Sequence, residues 1–154
     1  MGCGKEFKTG NCVCDILKEI AEAQSDVFES CCDSSCKQSI NELLGDTDQN
    51  MGLDTVPVIL YCKGTCKPFK GFGAHPSDIG DVVASFFFRV KKVDDDCCAI
   101  LELLRDPHDD DPNPKDPVDQ KTKHLRATGI CITADLNCFC HVTCLPAINA
   151  LNCV

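Results

Sequence analysis

The chain has 154 residues, a formal net charge of -9, 15 cysteines and 44% hydrophobic residues. That length suits one domain with a real core and leaves no room for a two-domain cofactor enzyme. The acidic balance argues against a phosphate-tracking nucleic-acid binder or a protein held to an anionic membrane, and no apolar run approaches the roughly 20 residues that span a bilayer.

Met1, Gly2, Cys3 and Gly4 open a glycine-rich, polar arm that runs to Asn11. The first 30 residues lack the basic start, apolar middle and small-residue cleavage site of a secretory signal. Glu6 stands where a myristoylation motif needs Ser or Thr. Val13, Ile16, Leu17, Ile20, Val27 and Phe28 then recur at three- and four-residue spacing, with Asn11 able to cap and Asp15 and Glu19 toward the start. This predicts a helix over 12–29. A second helix is expected over 35–44, capped by Ser34 and stopped by Gly45.

From Val58 the period changes to two, with Val58, Leu60 and Cys62 on one side and Ile59 and Tyr61 on the other, as in a strand. Lys63-Gly64-Thr65 reads as a turn and 68–73 as a short second strand. Over 86–93 the alternation buries Phe86, Phe88 and Val90, turns Arg89 and Lys91 outward, and leaves Phe87 on the wet face, where it is a candidate assembly contact. Asp94-Asp95-Asp96 makes a turn into a strand over 97–104, completing a hairpin.

Residues 106–119 hold Pro107, Pro112, Pro114 and Pro117 among aspartates and read as an exposed loop. Asp109, Asp110 and Asp111 lack EF-hand spacing, and a solvated loop accounts for them better than a calcium site. Ile130, Ile132, Ala134 and Leu136 alternate with Cys131, Thr133 and Asp135 in another strand. Cys138, Cys140, Val142 and Cys144 then share one face of an extended segment closed by Pro146. The expected fold is a single α+β domain over 12–154: helical to residue 45, then a mainly antiparallel β core over 55–146, possibly a β-sandwich.

Cysteine at this density normally belongs to oxidised extracellular proteins, yet a chain without an export signal is made where thiols stay reduced. No C-x-x-C occurs, which weakens both a zinc site and a thioredoxin-like redox site. The zinc alternative rests on Cys12-Val13-Cys14 and Cys138-Phe139-Cys140. Neighbouring cysteines on a strand point to opposite faces, so one of Cys97 and Cys98 looks outward. An odd total leaves at least one thiol unpaired within the chain. Buried free thiols are expected at Cys62 and Cys131, since cysteine also behaves as a small hydrophobe. Of His75, His108, His124 and His141, only His141 has cysteines close in sequence, and none is a credible general base. Neither a catalytic residue nor a cofactor is expected.

Phe87-Phe88-Arg89-Val90, Cys97-Cys98-Ala99-Ile100-Leu101 and the block from Cys131-Ile132-Thr133-Ala134-Asp135 through Cys138-Phe139-Cys140-His141-Val142-Thr143-Cys144-Leu145 resemble the CotY/CotZ/ExsY family of spore outer-coat and exosporium proteins. Asn11-Cys12-Val13-Cys14-Asp15 and Asp54-Thr55-Val56-Pro57-Val58 add to the resemblance. It implies a non-enzymatic building block that self-assembles into hexameric two-dimensional lattices cross-linked by disulfides, with itself and other coat or exosporium proteins as partners and neither nucleic acid nor membrane. It also implies synthesis in the mother-cell cytoplasm and oxidation later, which resolves the conflict over compartment. The alternative functions are a metal-binding cysteine-rich protein or a morphogenetic adaptor of the coat. Cys3, Cys12, Cys14, Cys31, Cys32 and Cys36 lie on arms and loops that can reach a neighbour and are the first cross-link candidates. Cys97, Cys98, Cys138, Cys140, Cys144 and Cys153 complete the set.

Overall fold

In a computed structural model the structure describes residues 10–33 and 53–151, with 25–33 given by the backbone alone. The helix α1 spans Cys12–Asp33 and starts where the sequence places it, the Asn11 side-chain oxygen accepting the Cys14 N–H at 3.0 Å. Seven strands follow among the described residues: β1 (Val58–Cys62), β2 (Gly71–Gly73), β3 (Val83–Ser85), β4 (Phe88–Val93), β5 (Cys98–Arg105), β6 (Arg126–Asp135) and β7 (Phe139–Cys144). A single 3-10 turn, Leu136–Cys138, links the last two. The expected helix over 35–44 lies outside the described residues.

Five strands form one antiparallel sheet in the order β6-β5-β4-β1-β7, and β2 and β3 form a separate ribbon. The fold class is therefore corrected. Among the described residues the strands outweigh the one helix, so the protein is mainly β rather than α+β with a helical N-terminal third. A single large sheet covered by a helix and a small ribbon also replaces the β-sandwich.

Alternation along the strands divides the interior in two. Val58, Leu60, Phe88, Val90, Ala99, Leu101 and Leu103 face α1, whose Val13, Cys14 and Leu17 pack on them. Ile59, Phe86, Phe87, Leu104, Leu125 and Ala150 form a smaller cluster. The ribbon sits close over the larger core because Gly71 and Gly73 have no side chains: a Cβ at Gly73 would lie 2.5 Å from Ile130. Gln24 ties helix to sheet, donating to the Val90 carbonyl at 2.6 Å and accepting from the Val56 N–H at 2.8 Å. Buried amides stay only where both ends are satisfied, as here.

Two expectations about β4 are corrected. Phe87 is only 4% exposed and belongs to the second cluster. Regular alternation starts at Phe88, because the Ser85 hydroxyl donates to the Phe87 carbonyl and accepts from the Phe87 N–H, folding the preceding residues out of strand geometry. Arg89 is buried as well, at 6% exposure; its Nε donates to Thr55 Oγ1 at 3.0 Å, and Glu102 stands opposite it on β5. Burial pushes the pKa of this guanidinium down while Glu102 and Asp54 oppose that shift. Asp54 also holds the chain beyond β7, accepting from the Thr55 hydroxyl and from the Ala150 and Leu151 N–H groups.

Candidate functional site

Sulfur is divided between the interior and the rim of the sheet. Cys14 on α1 and Cys97 at the β4-β5 turn form a disulfide across 83 residues of sequence, both buried. Cys97 reaches helix-ward because it adopts a left-handed backbone conformation, φ 64°, before Cys98 starts β5 and looks outward. Cys12 is disulfide-bonded as well. Cys12, Cys14 and Cys97 therefore stand outside the free thiols. Cys31 and Cys32 fall at the C-terminal end of α1, beyond the described side chains, and Cys3, Cys36 and Cys153 lie outside the described residues.

Seven cysteines are free among the described residues: Cys62 is half-buried, and Cys66, Cys98, Cys131, Cys138, Cys140 and Cys144 are exposed. Five gather along β7 and the adjoining end of β1. Cys62 closes β1, and the turn that follows brings the Cys66 N–H back to the Cys62 carbonyl at 3.0 Å. Gly64 takes φ 93° in that turn, a conformation that costs glycine little. Asp135 caps the 3-10 turn by accepting the Asn137 N–H, and the Cys138 carbonyl accepts the Lys63 N–H at 2.8 Å, which anchors this turn beside the first one. The register shifts between Tyr61 and Cys62, so Cys140 stands out of the regular ladder with its Sγ 3.8 Å from the Cys62 carbonyl. Cys144 sits opposite Val58 at the far end of β7.

The other two free thiols lie at the opposite side of the sheet, Cys98 across from Asp135 and Cys131 across from Glu102. Burial pushes the Cys131 thiol pKa up, against a lowering influence from Lys91 and with a further rise from Glu102. Burial raises the Cys144 thiol in the same direction. The thiolate is the species that attacks disulfides and binds metals, so both sulfurs hold their protons longer than an ordinary cysteine.

Sequence reasoning placed Cys62 and Cys131 in the interior and overlooked Cys66. Alternation was the available signal for Cys131, which shares the outer face with Thr133 and Asp135. Among the described residues no group of three or more His, Cys, Asp or Glu side chains is placed to hold a metal ion. The histidines have other neighbours: His75 meets Ser77, His108 meets Asp106 and the His124 ring, and His141 packs edge-on against Tyr61. The loop aspartates are turn-formers, Asp109 accepting from the Asp111 and Lys121 N–H groups and Asp111 from Asn113. No helix among the described residues is long and apolar enough to cross a membrane. What the arrangement offers chemically is a disulfide-stapled interior and a rim of thiols open to a second molecule.

The family model for spore coat protein Z matches residues 1–147. The chain belongs to the spore coat protein Z family. It is 32% identical over 145 residues to spore coat protein Z of Bacillus subtilis strain 168, covering 90% of each chain. No solved structure matches it. Family membership supports a structural role in the spore coat, and the rim thiols are the part of the surface through which such a role is chemically testable.

Proposed function

We propose that this chain is a non-enzymatic building block that self-assembles into hexameric two-dimensional lattices of the spore outer coat or exosporium, sealed by disulfides between copies. The observation that carries the reading is that six of the seven free cysteines among the described residues are exposed. Free cysteine is among the most buried residue types, so a surplus at the surface asks for a partner outside the chain. The fold does not need these thiols, because Cys14 and Cys97 already staple the helix to the sheet. Copies first associate by burying surface. Oxidation then makes the contacts covalent, and other coat proteins with accessible thiols join by the same chemistry. A six-fold ring uses two different surface patches meeting head to tail, and joining rings into a plane needs a further symmetric contact.

Electron microscopy of the purified full chain, with and without reductant, tests this directly. Rings or tiles are expected in both conditions, resisting dilution and heat only where oxidised. A chain that stays monomeric at high concentration under air contradicts the proposal.

A further inference from the structure

We infer that β7 is the strand through which a second copy of this chain docks, the two β7 strands pairing antiparallel about a two-fold axis at Val142 so that Cys140 of each copy lies beside Cys144 of the other. The inference rests on the self-assembly reading above and names one of its seams.

The sheet has two edges, and they are not alike. β6 begins at Arg126 and ends at Asp135, is interrupted by Gly129 at φ 80°, and is partly covered by the C-terminal segment: the Ala127 N–H donates to the Ala150 carbonyl and Arg126 to the Asn149 carbonyl. Charges, irregular backbone and covering segments are the devices by which natural edge strands avoid pairing with other chains. β7 carries no lysine, arginine, aspartate or glutamate, its six residues reading Phe-Cys-His-Val-Thr-Cys, and among the described residues its only strand partner is β1. In a chain of net charge -9, a neutral strand is where two copies can approach without repulsion.

Register follows from the ladder. The Leu145 N–H donates to the Pro57 carbonyl, so by antiparallel alternation Thr143 and His141 turn their backbone groups toward β1. Val142 and Cys144 therefore present theirs outward. Every neighbouring pair in the five-stranded sheet is antiparallel, so β6 and β7 run in the same direction. Joining β7 of one copy to β6 of another by simple repetition gives a parallel pair, whereas a two-fold axis normal to the sheet sets β7 antiparallel to β7, the more stable arrangement. Centred on Val142, that pairing brings residue 144 of one copy beside residue 140 of the other, which the bulge opposite Cys62 already displaces from the β1 ladder. Facing residues of antiparallel strands have Cα atoms about 4.5 to 5.5 Å apart, inside the roughly 4.4 to 6.8 Å over which a disulfide closes. Each Cys140–Cys144 bridge forms as two thiols give up two protons and two electrons to dioxygen, which leaves as hydrogen peroxide. Symmetry makes two bridges per seam.

Within one copy residues 140 and 144 are four positions apart on one strand, about 13 Å, too far to bond. Non-reducing proteolysis and mass spectrometry of air-oxidised full-length chain, mixed from isotopically heavy and light copies, should therefore yield a Cys140–Cys144 peptide pair of mixed label. The variant Cys144→Lys, which abolishes both bridges and sets a charged side chain against Cys140 of the other copy at an exposed site, should keep the wild-type melting temperature and form isolated rings without two-dimensional growth. Lattices from Cys144→Lys indistinguishable from wild type, or assemblies in which Cys140 and Cys144 are bonded only to other cysteines, overturn this seam and leave self-assembly standing. A wild-type chain that never associates overturns both.

Discussion

The buried sulfur at Cys14 and Cys97 and the exposed sulfur along β7 are the same residue type under opposite constraints. Cys14 is inaccessible to solvent and Cys97 nearly so, and their bond closes 83 residues of chain between the start of α1 and the β4-β5 turn. Cys138, Cys140 and Cys144 are open to solvent and unbonded. A cross-link in the interior narrows the unfolded ensemble and so stabilises the fold, whereas thiols on the rim contribute almost nothing to it and remain available to other molecules. Separating the two holds the fold independently of whatever the rim thiols bond to.

The sharpest way to break this division is to exchange the losses. Cys97→Ala removes the long closed loop and should cost about 4 kcal/mol, read as a large fall in the denaturation midpoint by circular dichroism. The triple variant Cys138→Ser, Cys140→Ser, Cys144→Ser should shift stability by less than about 0.5 kcal/mol, as surface changes do. Comparable losses in the two proteins would mean that rim sulfur also holds the fold. A smaller effect belongs to Asp54, which joins the start of the sheet to the segment after β7. Asp54→Ala strands two backbone N–H groups and should cost about 2 kcal/mol. Faster amide exchange at Ala150 and Leu151 should accompany it, and exchange unchanged at both would show that the carboxylate does not secure that segment.

Helix α1 with its Asn11 cap and the β4-β5 hairpin were legible because each depends on neighbours in sequence. Phe87, Arg89 and the short β3 were not. Their positions depend on Ser85 bending the chain before β4, on Thr55 receiving the Arg89 Nε–H from 34 residues away, and on ribbon packing permitted by two glycines. At the candidate site the clustering of cysteines was visible, but their sorting was not. Pairing Cys14 with Cys97 requires knowing that the helix start meets a distant turn, and strand order decides which cysteines lie on an edge.

The smallest predicted effect concerns when the rim reacts. Partial burial beside β1 raises the Cys144 thiol pKa, so in the interval from the ordinary cysteine range, about 8.5, up to its own value Cys144 keeps a proton that free cysteine has lost. Below that value its thiolate fraction rises about tenfold per pH unit, and the thiolate is what attacks. Alkylation of Cys144 by iodoacetamide, followed site by site with mass spectrometry, should lag free cysteine at pH 7 and approach it as the pH is raised past 9. The Cys14–Cys97 pair should stay unlabelled throughout. A Cys144 rate equal to that of free cysteine at neutral pH would remove the lag. If the lag holds, the β7 strands of the proposed seam have time to pair and dissociate reversibly before sulfur chemistry fixes them, and misaligned contacts can be corrected. The ordered growth proposed above would depend on that sequence of events, because a seam sealed at first encounter would trap whatever register the collision produced.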